Sequence, residues 1–119
     1  MNFYIPGELA TLNDFIAAMN RNRYDGAQIK RLETQRVKMA CRELHPVGHY
    51  PVDLRLTWYR ADRRSDPDNV AFAIKFILDG LQQAGIIKQD NWKCVNSITH
   101  NFELDAENPG VEIVISEEI

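Results

Sequence analysis

Val52-Asp53-Leu54-Arg55-Leu56-Thr57-Trp58-Tyr59 alternates apolar and polar side chains without a break, and Arg63-Arg64-Ser65-Asp66-Pro67-Asp68-Asn69 follows it. A period of two puts Val52, Leu54, Leu56 and Trp58 on one face of a strand and the polar set on the other. The charged loop at 60–66 ends the strand. Asp66-Pro67-Asp68 then has the marks of a helix start: a capping oxygen, proline in the first helical position and an acid in the first turn. Val70, Ala73, Ile74, Ile77, Leu81 and Ala84 recur at helical spacing, so the pattern predicts a helix over 68–84 that stops at Gly85. Phe72 and Phe76 widen its apolar arc beyond what one sheet face needs, which points to a subunit interface.

On either side of this stretch the signals are shorter. Phe3–Ile5 reads as a strand ended by Pro6-Gly7. Residues 8–23 carry Leu9, Leu12, Phe15 and Ile16, which need a packing partner and fit a helical turn. A helix opens at Asp25 or Gly26 and runs to about Leu44. Its Ile29, Leu32, Val37, Met39, Ala40 and Leu44 gather on one broad side, while Arg31, Lys38 and Arg42 lie opposite in a stripe about 16 Å long. His45-Pro46-Val47-Gly48-His49 breaks that helix. Val95–Phe102 and Val111–Ile115 read as strands joined through a turn at Glu107-Asn108-Pro109-Gly110. The order predicts an α+β fold, with two main helices on a mixed or antiparallel sheet, in a single domain over residues 1–119.

No run of about 18 apolar residues is present, so no membrane span is expected. The N-terminus lacks a basic head and an apolar signal core, which argues against secretion. Cys41 and Cys94 are too few for a disulfide scaffold and fit a reducing cytoplasm. A net charge of −3 would by itself argue against a nucleic-acid partner. Residues 20–42, however, have a local net of +5, which leaves −8 for the rest of the chain. Such a division can offer phosphates one face and a cation another, although a solvated helix face would look the same.

Two carboxylates flanking Pro67 can converge on one hard cation, because Mg²⁺ takes one or two carboxylates together with water and phosphate oxygens. The same residues also make a good helix cap, so the pair alone leaves both readings open. For a third carboxylate, Asp79 shares a face with Asp68 but lies about 16 Å along the axis, and it suits a surface pair with Lys75. Asp90 lies past the helix, where the returning chain is free to bring it back. Cys41, His45 and His49 have ligand spacing, but Pro46 and Gly48 interrupt the helix that would align them, which counts against zinc. Trp92 fits packing beside the helix end better than stacking on a base. There is no glycine-rich phosphate loop and no Ser or Cys nucleophile motif.

Arg63-Arg64-Ser65-Asp66-Pro67-Asp68-Asn69, then Leu78-Asp79-Gly80-Leu81-Gln82-Gln83-Ala84-Gly85-Ile86-Ile87, then Gln89-Asp90-Asn91-Trp92 resembles the signature of the RusA family of Holliday-junction resolvases. The likeness covers residues 52–115, and Pro109-Gly110-Val111-Glu112-Ile113-Val114-Ile115 is similar to the closing strand of its phage-type members. The resemblance implies a homodimeric, Mg²⁺-dependent endonuclease that cuts four-way DNA junctions. It places Asp66, Asp68 and Asp90 on the family's catalytic, metal-binding aspartates. Phe72 stands where the family usually carries a functional lysine, and Lys75, one face-repeat further on, can substitute. Arg31, Lys38, Arg42, Arg63 and Arg64 are the expected contacts to DNA phosphates. The alternatives are a branched-DNA-binding protein that has lost catalysis and a non-catalytic interaction protein in which Asp66 only caps a helix.

Overall fold

Eight elements follow one another in the computed structural model, which describes residues 1–117: β1 (Asn2–Pro6), α1 (Leu12–Arg21), α2 (Arg23–Ala40), β2 (Val52–Arg60), α3 (Pro67–Ala71), α4 (Ile74–Gln83), β3 (Val95–Leu104) and β4 (Gly110–Glu117). The fold is α+β, as expected, and its sheet is mixed, in the order β1-β4-β2-β3. Strand β4 runs antiparallel to both β1 and β2, whereas β3 runs parallel to β2, with Leu54 opposite Ile98 and Trp58 opposite Phe102. The turn at 107–110 therefore does not close a hairpin. It carries the chain across β2 to that strand's other side.

One face of the sheet is buried. Val52, Leu54, Leu56 and Trp58 of β2 join Val111, Ile113 and Ile115 of β4 and Phe3 and Ile5 of β1 in the core, as the period of two requires. The helices cover this face. Between them they correct the expectation of two main helices, because the layer has four helical segments. The 8–23 region contains a full helix, α1, held by a capping box: Thr11 Oγ1 accepts from the Asp14 amide (3.2 Å) and the Asp14 carboxylate accepts from the Thr11 amide (2.9 Å). Asn22 then ends α1 and caps α2 through the Asp25 amide (2.8 Å), so α2 starts at Arg23 and ends at Ala40, four residues before Leu44.

Two further expectations change. Leu32 and Met39 of α2 are half exposed, while Gly26, Thr34, Val37 and Cys41 make its buried seam. The helix predicted over 68–84 is hitched at Phe72-Ala73, where the Ala73 amide bonds the Val70 carbonyl (3.2 Å) and the Lys75 amide bonds the Phe72 carbonyl (3.1 Å). Its end is as read. Gly85 has φ +76°, its amide bonds the Gln82 carbonyl (3.0 Å), and the Ile86 amide reaches the Leu81 carbonyl (2.9 Å), a Schellman closure that needs the left-handed residue. The wide arc of Phe72 and Phe76 has an internal explanation. Phe72 packs on Phe15 of α1 and edge-on to Phe76 (centroids 5.7 Å in each case), and Phe76 is buried in the core.

Gly80 sets the distance between α2 and α4. A Cβ there would lie 2.5 Å from Val37 Cβ and Cγ1 and 3.2 Å from the Thr34 carbonyl oxygen. Gly80→Ala is expected to lose about 1–3 kcal/mol by overpacking, despite alanine's better helix propensity. Urea denaturation would show this as a lower midpoint, and an unchanged midpoint would mean that the helices are free to move apart.

Candidate metal centre and nucleic-acid interface

The polypeptide leaves β2 at Arg60 and is tied down at once. The Ala61 amide donates to Glu8 (2.9 Å), Arg60 Nε pairs with the same carboxylate (3.2 Å), and the Arg64 amide donates to Asp62 (2.9 Å). This loop, the start of α3 and the end of β3 enclose an open cleft of about 580 Å³ whose walls include Arg60, Arg63, Asp66, Val70, Phe102 and Leu104. Asp66 occupies the N-cap position of α3, with φ −67° and ψ 155°, yet its side chain makes no capping hydrogen bond. Asp68, in the first turn, is exposed as well, and neither carboxylate has a hydrogen-bond or ion-pair partner among the described residues. Asp66 lines the cleft, whereas Asp68 lies one step beyond its walls.

Asp90 is elsewhere. Because β3 runs parallel to β2, it begins beside Val52, and the Cys94 carbonyl accepts from the Val52 amide (2.8 Å). Residues 86–88 are held at that same end, with the Ile86 carbonyl accepting from the Val47 amide (2.8 Å) and the Lys88 amide donating to the Tyr50 hydroxyl (3.1 Å). At roughly 3.3 Å of rise per residue, the two ends of β2 lie about 26 Å apart. Asp66 and Asp68 therefore sit off one end of the sheet and Asp90 off the other. This corrects the expectation that the returning chain brings Asp90 back. Among the described residues, no three His, Cys, Asp or Glu side chains form a group able to hold a metal.

Lys75 pairs with Asp79 (3.1 Å) on the next turn of α4, away from Asp68, which is the surface pair the spacing also allowed. Trp92 is not packed beside the helix end. It is 96% exposed at the tip of the loop that enters β3. Of the basic residues, Arg63 and Arg64 are exposed beside the cleft, with Arg64 in a loose pair with Asp62 (3.6 Å). Arg31 and Arg42 are exposed and Lys38 is half-buried on α2; Arg42 borders a groove over β1, the far edge of the sheet. Arg36, by contrast, is structural, since it donates to the Pro6 (2.8 Å) and Glu8 (3.1 Å) carbonyls and pairs with Glu33 (3.1 Å). Arg60, a cleft residue that sequence reading passed over, differs from its neighbours only in closing the alternating strand.

His100 of β3 stacks on Trp58 (5.9 Å) and accepts a hydrogen bond from its indole N–H at Nδ1 (2.9 Å). The bond fixes a neutral ring, and burial lowers the His100 pKa from its ordinary 6.5. Because the folded value is the lower one, the stabilisation is full above 6.5 and is lost as pH falls through the folded value. An NMR titration should find the His100 midpoint below 6.5, with the indole proton resonance moving along with it; a pKa at or above 6.5 would refute it.

No protein-family model matches the chain, and no curated protein matches its sequence.

The free Asp66 carboxylate has a direct thermodynamic consequence. Thr11→Ala removes a working cap and should cost about 1 kcal/mol, whereas Asp66→Ala should stay within roughly 0.5 kcal/mol of the parent, as exposed substitutions do. Equal losses in chemical denaturation would show that Asp66 caps α3 after all.

Proposed function

We propose that the protein is a Mg²⁺-dependent endodeoxyribonuclease that acts as a homodimer on four-way or branched DNA. The observation that carries this reading is the Asp66-Pro67-Asp68 step, two exposed carboxylates without partners among the described residues, beside a cleft that Arg60 and Arg63 also line. A helix that wanted only a cap would have used Asp66 as one, and it does not. The order of motifs on which the resemblance to the RusA family rests falls on the same step.

Oxygen donors of this kind suit Mg²⁺, which keeps most of its waters and asks for one or two carboxylates. When bound, the ion supplies polarisation of the scissile phosphate and a more acidic attacking water. Asp66 and Asp68 would hold it. Arg63 and Arg64 would position the phosphate backbone from the loop above, and Arg60 would place a fixed positive charge beside the phosphoryl oxygens, where charge accumulates in the transition state. Within one chain Asp90 is too distant to join them, so its place in the site depends on a second copy presenting its own Asp90. Arg42 stands at the groove over the opposite edge of the sheet and Arg31 between α2 and α4, so with Lys38 of α2 they would suit a different arm of a junction.

A second reading, a junction-binding protein without cleavage, is favoured by Phe72 in the place of the family lysine and by the Lys75–Asp79 pair. One set of variants separates the two. Asp66→Asn and Asp68→Asn should abolish Mg²⁺-dependent nicking of a synthetic junction while leaving gel-shift affinity equal or higher, because a negative charge beside phosphate has been removed. Replacing Arg63 and Arg64 by Ala should lower the slope of log affinity against log salt by about one for each lost contact. Unimpaired cleavage by both Asn variants would end the nuclease assignment, and junction binding with no cleavage by the parent protein would establish the second reading.

A further inference from the structure

The edge of β3 is open: no strand pairs with its outer side among the described residues. It is also lightly guarded, by a bulge at Asn96 close to its start and the single charge of Glu103 close to its end. Its ten residues, Val95-Asn96-Ser97-Ile98-Thr99-His100-Asn101-Phe102-Glu103-Leu104, contain no proline and no lysine, two of the usual devices that block edge pairing. Ile98, His100 and Phe102 stand opposite Leu54, Leu56 and Trp58, so they lie on the core face of the sheet, as does Leu104 two residues on. Yet Ile98, Phe102 and Leu104 are each more than one-third exposed, because the helix layer stops short of this strand.

At the two ends of this edge lie complementary features. The entry loop holds Trp92, almost wholly exposed, and a bare indole of this kind is a characteristic interface anchor. At the exit end is the cleft, with apolar walls from Pro67, Val70, Phe102 and Leu104 and room for an indole.

We propose that β3 pairs antiparallel with β3 of a second copy, and that each Trp92 seats in the partner's cleft. This rests on the proposed junction-cutting dimer, to which it assigns a surface. A twofold axis perpendicular to the sheet joins the two edges into one continuous sheet and keeps both helix layers on the same side. With the axis near Ile98–His100, Leu104 of one copy falls opposite the Trp92–Asn96 stretch of the other. The cleft, which α3 helps to form and Phe102 and Leu104 line, lies on that shared side, and the loop that carries Trp92 leads from the helix layer into β3.

The area also favours a second copy. A ten-residue edge about 33 Å long and about 10 Å wide covers roughly 330 Å² per copy, short of the ~800 Å² that a stable interface uses on each side. Each copy adds one seated indole, worth roughly 200 Å², and the cleft that receives the other. A knob and a hole on the same edge, exchanged by one rotation, make the surface self-complementary.

The association is read without DNA or Mg²⁺, so its outcome is independent of nuclease activity. Sedimentation equilibrium should show a dimer at micromolar concentration. On dilution the intrinsic emission should shift to the red as Trp92 becomes exposed, since Trp58, the only other tryptophan, is buried in either state. Trp92→Ala should raise the dimer dissociation constant at least about thirtyfold, as expected for an interface hot spot. Leu104→Lys should do the same, and circular dichroism should find both monomers folded, because both side chains are exposed. A monomer at all accessible concentrations would overturn the proposal. So would a dimer that neither substitution weakens, or a Trp92→Ala variant that loses only DNA affinity, which would make the indole a base contact. Cleavage by a strict monomer would end this inference and the homodimer of the proposed function while leaving Mg²⁺-dependent cleavage at Asp66 and Asp68 standing; a dimer of this form that never cuts DNA would keep the inference and end the nuclease reading.

Discussion

The parallel pairing of β2 with β3 is the constraint from which the rest of the molecule follows. Two parallel neighbours cannot be joined by a tight turn, so the chain must return along the whole sheet before the second strand begins. Segments α3 and α4 make that return, and in doing so they roof the buried face of β2. The same crossover fixes the chemistry: whatever follows β2 lies at one end of the sheet, and whatever precedes β3 lies at the other. Asp66 and Asp68 belong to the first group and Asp90 to the second. No side-chain rotation spans that separation. The distribution of carboxylates is thus a property of topology rather than of local conformation.

Around that crossover the remaining helices fill a layer that α4 alone would leave incomplete. Helix α1 brings Phe15 against Phe72, and α2 lays Val37 and Thr34 close over Gly80. Arg36 fastens this layer to the sheet by bonding the carbonyls of Pro6 and Glu8, while Glu33 accepts the Ala10 amide (2.6 Å) from the same connection. Residues of the basic stretch 20–42 thus divide by role. Some are committed to internal bonds, and only those turned outward remain available to a polyanion.

The layer's coverage is uneven. Over β1, β4 and β2 the apolar face is sealed. Over β3 it is not, so the strand keeps an apolar row and an unpaired backbone next to the cleft that holds Asp66. A cleft beside an open edge is a place where a second surface can complete what one chain leaves unfinished.

Much of this was written in the sequence. Alternation over 52–59 determined a strand with one buried face, Gly85 determined where α4 stops, and the run of element types determined an α+β domain. These signals are local: each depends on periodicities or backbone preferences within a dozen residues. Helix α1 was legible too, in Thr11-Leu12-Asn13-Asp14, a capping-box pattern outweighed by the mixed composition around it. Which neighbours the strands would choose was not legible, because a strand's apolar face is satisfied equally by parallel or antiparallel partners. That choice set Asp90 apart from Asp66. Leu32 and Met39 were likewise beyond a helical wheel, which shows an apolar side but not how much of it a neighbour covers. Trp92 was misread for the same reason: whether an aromatic side chain is core or anchor is decided by what the rest of the chain leaves uncovered around it, and only the tertiary structure contains that answer.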